Sequence, residues 1–135
     1  MYETGEAVAR AFFDCFNAQD ADGLAALFVE DAEFVNVVGF WWRNRRQIRK
    51  AHDYGFRRIF QNAQIEITEL STRALSPDIH LIHTVSTLDE QTTLDGDETG
   101  PRIAVISMVA QRFDDGFKLV SCHNTDRVEG ADTHI

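Results

Sequence analysis

Three histidines and two asparagines carry the chemistry this chain could do. Ile48, Ala51, His52, Phe56 and Ile59 recur at i, i+3, i+4, i+8 and i+11, one face of a helix, so the His52 imidazole sits on an apolar face. Among side chains, imidazole titrates closest to neutral pH, which fits a general acid or base. The competing reading is a core histidine satisfied by a backbone carbonyl. His83 lies in an apolar alternation with Ile79, Leu81 and Val85, which predicts burial and a second acid/base candidate. Asn36 falls in the run DAEFVNVVGF, sharing a strand face with Phe34 and Val38. His123 and Asn124 are neighbours on a strand and point to opposite faces, so only one enters the interior unless a bulge intervenes. Parity with Phe117 and Leu119 favours His123, and the choice stays open here. Polar groups aimed at one hydrophobic interior predict a pocket, with His52, His83 and Asn36 facing it together. Trp41, Phe12, Phe56 and Met108 complete its expected lining. Trp41 and Trp42 point oppositely if extended, one toward the pocket or core and one toward solvent or a partner.

Other chemistries find no support. His80, His83 and His123 are scattered over strands and make no metal constellation. No phosphate-cradling glycine loop, GxSxG elbow, Cys/His nucleophile pattern or nicotinamide or flavin fingerprint occurs. The expectation is cofactor-free chemistry. Cys15 in a helix and Cys122 in a strand read as two buried thiols in a reducing cytoplasm. Glu3 and Glu6 interrupt any apolar leader, and the apolar runs are too short to span a bilayer. Net charge is −9, from 13 basic and 22 acidic residues. That argues against nucleic acid or an anionic membrane as partner. The basic run Arg43 to Lys50 is a local exception, read as a solvated helix face. Arg45, on the His52 side, is expected to pair with Asp31 or another acid.

The elements that must position these residues follow from periodicity. A chain of 135 residues makes one domain with a real core. Val8, Ala9, Phe12, Phe13 and Phe16 predict a helix over 3–18. Asp20 caps a second short helix with Leu24, Leu27 and Phe28 inside. A strand begins near Asp31, turns at Gly39, and leads into a third helix ending near Phe60 to Asn62. Four strands follow: 63–75, 79–89, 102–113 and 117–128. Turns are expected at Ser76-Pro77-Asp78 and Asp114-Asp115-Gly116, a polar hairpin loop at Gln91 to Pro101, and a frayed tail from residue 129. Three N-terminal helices then a strand run predict an α+β fold: a curved antiparallel sheet packed against the helices as a cone with an internal pocket. The last strands carry apolar residues on both faces, Ile103, Val105 and Val109 against Ala104, Ile106 and Met108. Helices cover one face only, so a homodimer through the other is expected.

The order helix, helix, strand, helix, four strands resembles the nuclear transport factor 2-like superfamily. Phe12-Phe13, Asn17 to Asp20, Leu24 to Phe28 and Glu30 to Phe34 are similar to the opening of SnoaL-like polyketide cyclases and ketosteroid isomerases. Val35-Asn36-Val37, Gly39, Trp41, Arg45, Ile48, His52, His83 and Asn124-Thr125 resemble the SgcJ/EcaC-type family. The resemblance covers about residues 6 to 128. It implies the cone fold, favours Asn124 over His123 as the pocket residue, and implies a small carbonyl-bearing or polyketide-like ligand. One departure matters. Ketosteroid isomerases use a carboxylate base and an oxyanion-hole tyrosine. Asn36 stands at the base position and Phe12 at the tyrosine position, and neither side chain can do that work. The expectation is therefore histidine-based acid/base chemistry of isomerase, cyclase or lyase type. The alternative is a non-catalytic ligand-binding or dimeric assembly module.

Overall fold

The computed structural model describes residues 1–89 and 100–130. The core of the expected loop at Gln91 to Pro101 and the last five residues of the tail lie outside them. Three helices are present: α1 (Gly5–Asn17), α2 (Ala21–Ala26) and α3 (Arg45–Arg58). Each starts at a side-chain cap. Thr4 accepts from the Ala7 amide, Asp20 from Gly23 and Asn44 from Gln47. These caps satisfy orphan N–H groups, which is why Asp20 could be read as a start signal from sequence.

Six strands form one sheet: β1 (Phe28–Val35), β2 (Trp41–Trp42), β3 (Gln64–Ser76), β4 (Ile79–Asp89), β5 (Arg102–Phe113) and β6 (Gly116–Asp126). The sheet is curved and unclosed, in the order β2-β1-β6-β5-β4-β3. The α+β expectation holds, with two corrections. The sheet is mixed, because β1 runs parallel to β6, and a two-residue strand, β2, closes a hairpin onto β1. A parallel neighbour needs a long crossover, and everything between β1 and β6 supplies it.

The helices cover the inner face. Val8, Ala9, Phe12, Phe13 and Phe16 of α1 are buried against Ile82, Ile106, Met108 and Leu119 of the sheet. Asn17 pins the end of α1 to β3. Its Nδ2 donates to the Ile65 carbonyl at 2.9 Å, and the Ile65 amide donates to its Oδ1 at 2.8 Å. The side chain thus imitates a neighbouring strand. Gln19, at φ 56°, adds donation from its amide to the Phe60 and Gln61 carbonyls. The asparagine in the opening motif is therefore structural.

Two further corrections concern which face is which. In β4 the inward set is Ile82, Thr84, Ser86 and Leu88, while Leu81, His83 and Val85 face outward. Alternation assigned these residues correctly to two sets but gave the interior to the wrong one, because the inward set carries two hydroxyls. In β6 an extra residue, Val120, lies between Leu119 (opposite Ala110) and Ser121 (opposite Val109). This bulge reverses the parity set by Phe117 and Leu119. Cys122 and Asn124 turn inward, and His123 is exposed. Among the described residues no helix is long and apolar enough to cross a membrane.

The Thr84 and Ser86 hydroxyls are buried and have no hydrogen-bond partner among the described residues. Such a group costs about 1–3 kcal/mol of desolvation. Thr84→Val keeps the shape and removes the polar atom. It should stabilise the fold by about 1 kcal/mol or more, read as a higher urea midpoint at unchanged slope.

Candidate functional site

The His52 imidazole stands in the interior, ringed by aromatic side chains from four elements. Ring centroids lie at 6.0 Å to Phe12, 5.1 Å to Phe34, 5.7 Å to Trp42 and 6.1 Å to Phe56. His52 is 9% exposed. Its Nδ1 is 2.8 Å from the Ile48 carbonyl, one turn back on α3. A carbonyl can only accept, so Nδ1 carries the proton and Nε2 presents a lone pair. Burial pushes the pKa down to about 4, and the Ile48 bond offsets part of that shift. Both readings of His52 thus describe one residue: one nitrogen is satisfied by the backbone and the other is not.

His52 lines a chamber of about 110 Å3 between helices and sheet. Phe12, Phe34, Trp42, His52, Ala104 and Asn124 are among the residues around it. Asn124 Oδ1 is buried with no hydrogen-bond partner among the described residues. The chamber widens into a vestibule of about 790 Å3. Both spaces touch Asn36, Val37, Trp42, Ala51, Phe60 and Arg102, which form the neck between them. Val38, Phe40, Tyr54 and Lys50 line the outer part.

Arg102 at the neck is a residue that sequence reasoning missed. Its Nε is 3.1 Å from Asp126 Oδ1 on β6. The approach is too oblique for a hydrogen bond, so both buried atoms remain without one among the described residues. Burial pulls the guanidinium below its ordinary pKa, and Asp126 offsets part of the loss. Arg102 and Asp126 sit at opposite ends of their strands in the sequence. The antiparallel register, which pairs Ala104 with Asp126, brings them together, and no local pattern announces that.

The other expected site residues divide. Phe12 lines the chamber. Phe56 packs behind His52, and Met108 is fully buried in the core. Asn36 reaches the neck, but it follows β1 and does not sit mid-strand. Its Oδ1 accepts from the Val38 amide at 3.2 Å and the Phe40 amide at 2.9 Å, organising the turn at Gly39, whose φ is 87°. Trp41 is 48% exposed, with Arg43 stacked 3.7 Å from its ring, and Trp42 is the tryptophan turned inward. His83 and His123 are exposed on the outer face, on the other side of the sheet from His52, so neither joins it in one cavity. Arg45 does not pair with Asp31. Its Nη1 donates to the Phe28 carbonyl at 3.3 Å. Glu30, Arg45, Arg46 and Arg49 line a separate surface groove, where Arg49 is ion-paired to Asp22 at 2.6 Å and both partners are solvated. Among the described residues no cluster could hold a metal ion.

The sequence matches the SnoaL-like domain model over residues 6–124. The chain belongs to the SnoaL-like domain family. Solved structures agree on the fold. One is a protein with a cystatin-like fold from Caulobacter vibrioides, 27% identical over 92% of this chain and 87% of that one, with a TM-score of 0.85. Another is a ketosteroid isomerase-like protein from Erwinia carotovora atroseptica, 14% identical over 91% and 93%, with a TM-score of 0.78. A third is a candidate scytalone dehydratase from Novosphingobium aromaticivorans, 17% identical over 96% and 85%, with a TM-score of 0.74. A search of curated proteins returns no significant match.

The buried imidazole makes stability depend on pH with a definite sign. Its ordinary pKa is 6.5 and its folded value about 4, so between them the unfolded chain binds the extra proton. The full stability is present above about pH 6.5 and is lost as pH falls toward 4, at most about 3 kcal/mol from this group. His52→Gln has no such titration. Urea unfolding across pH 7 to 4 should show a smaller loss for the variant than for the wild type.

Proposed function

We propose that this SnoaL-like domain is a cofactor-independent enzyme that moves protons on a small, largely apolar, carbonyl-bearing or polyketide-like metabolite, with His52 as the acid/base. The observation that supports this reading is an imidazole that lines an aromatic chamber and whose Nδ1–H is taken by the Ile48 carbonyl, which leaves Nε2 unprotonated. In the simplest sequence, Nε2 takes a proton from the carbon next to the substrate carbonyl, and the electron pair moves onto the carbonyl oxygen. The imidazolium then returns the proton to another carbon, an isomerisation, or to a departing hydroxyl, a dehydration. A free imidazole of pKa about 4 is a weak base. The enolate forming beside it would stabilise the imidazolium in the same low-dielectric space, and that ion pair offsets the desolvation. In this reading the Asn124 amide orients the substrate, its Nδ2–H donating to a carbonyl and its Oδ1 accepting from a hydroxyl. The folds of the ketosteroid isomerase-like and dehydratase-like neighbours are compatible with such chemistry. The SgcJ/EcaC-type placement and a cytoplasmic location belong to the same reading.

The test is exchange of carbon-bound protons for deuterium, followed by NMR, across a panel of small ketones and aromatic polyketide fragments. The wild type should exchange at least one compound, and His52→Ala should lose about 100-fold or more of that rate. No isomerisation of a β,γ-unsaturated ketosteroid above buffer is expected, because Asn36 is no base. Exchange unchanged by His52→Ala would move the chain to the binding-module reading.

That second reading draws on the outer face. Leu81, Val85, Val105 and Val109 are half-buried there and Ile103 is 36% exposed, with no helix above them among the described residues. We read this face as the contact of a homodimer, in an enzyme or in a binding module alike. Light scattering at micromolar concentration should give twice the chain mass. Val105→Glu should give the monomer with an unchanged circular dichroism spectrum.

A further inference from the structure

The neck of the pocket holds an asymmetry that the acid/base reading does not use. Toward the interior, the free groups are acceptors: His52 Nε2 and Asn124 Oδ1. Toward the vestibule they are cationic donors. Arg102 lines both spaces, and Lys50 lines the opposite wall from α3. Asp126 meets Arg102 at Nε, 3.1 Å away. The two terminal nitrogens of the guanidinium have no protein acceptor among the described residues. They form the flat fork that matches a carboxylate in two parallel hydrogen bonds. The guanidinium is partly buried, its side chain 25% exposed, and among the described residues Asp126 is the one acid it meets, so a second anion would add to its coordination. Around these charges the walls are apolar: Val37, Val38, Phe40, Trp42 and Tyr54. The protein as a whole carries −9, so Arg102 and Lys50 stand against the prevailing field where an anion would enter. A chamber of about 110 Å3 is somewhat smaller than the cavity of about 150 Å3 that holds benzene, and its continuity with the vestibule gives a single ring the remaining room.

We propose that the ligand of this site is an amphipathic carboxylic acid, its ring in the chamber with a hydroxyl toward His52 Nε2, and its carboxylate at the neck on the Arg102 fork. The proposal rests on the chamber being a small-molecule site, and it adds ligand class and orientation to that reading. Arg102 is then a binding residue that fixes which end of the ligand enters first. One carboxylate fits one fork, whereas a doubly charged phosphate would meet more repulsion from the acidic surface.

The experiment is calorimetric titration with three probes: para-coumaric acid, its methyl ester, and cinnamic acid, which lacks the hydroxyl. The wild type should bind para-coumarate about 10-fold or more tightly than the ester. It should also bind para-coumarate more tightly than cinnamate. Arg102→Gln should erase the acid–ester difference while leaving ester affinity in place, and Arg102→Lys should retain part of it. His52→Phe should erase the para-coumarate–cinnamate difference and keep the acid–ester one. If Arg102→Gln fails to fold, the wild-type acid–ester comparison and Arg102→Lys still decide. Equal wild-type affinity for acid and ester overturns this inference and leaves the chamber standing as a small-molecule site. Failure of all three probes to bind overturns both.

Discussion

An imidazole sealed among four aromatic rings has to be neutral, and much of the interior is arranged by that requirement. The Ile48 carbonyl takes the Nδ1 proton, which removes one unsatisfied polar group and fixes the ring's orientation on α3. The opposite nitrogen is left unprotonated, on a ring that lines the space between the helices and the inner face of the sheet. A purely structural histidine would have both nitrogens satisfied or one in solvent. Here one is bonded, the other is open to a cavity, and Phe12, Phe34, Trp42 and Phe56 exclude bulk water around it. Low dielectric makes any charge that forms there expensive alone and strongly favoured as a pair.

The sheet supplies the other wall by means that depend on register. The Val120 bulge turns Asn124 inward, and the β5–β6 register sets Arg102 beside Asp126. The turn held by Asn36 carries Val37, Val38 and Phe40 to the vestibule. The site is thus graded from a dry aromatic end to a cationic neck and an apolar mouth. In the SnoaL-like family the fold is a container, and what it does is decided by such local placements.

The outer face obeys different rules. His83, Ser107 and His123 lie in register across β4, β5 and β6, among half-buried Leu81, Val85, Val105 and Val109. A sheet covered by helices on one side leaves such a surface whenever its strands are apolar on both faces. The β5 sequence showed that property directly.

Local physics was legible in the residues themselves. The caps at Asp20 and the apolar stripes of α1 and α3 depend on neighbours within a few positions, and so does the turn at Asp114 to Gly116. These placed the helices and four of the strands within a few residues, and set His52 on an inward face. Helices followed by a run of strands pointed to the α+β architecture, and the family resemblance agreed with it and preferred Asn124. What needed tertiary structure was every decision between equivalent alternatives. Period-two alternation yields two faces but does not say which is inside, so His83 was assigned inward while Thr84 and Ser86 in fact hold that side. A single extra residue at Val120 changed the answer for His123 and Asn124. The inward tryptophan, the parallel β1–β6 pair and the Arg102–Asp126 contact rest on pairings between residues distant in the chain. Such contacts come from how strands are aligned in the finished sheet, and no spacing along the sequence encodes that alignment.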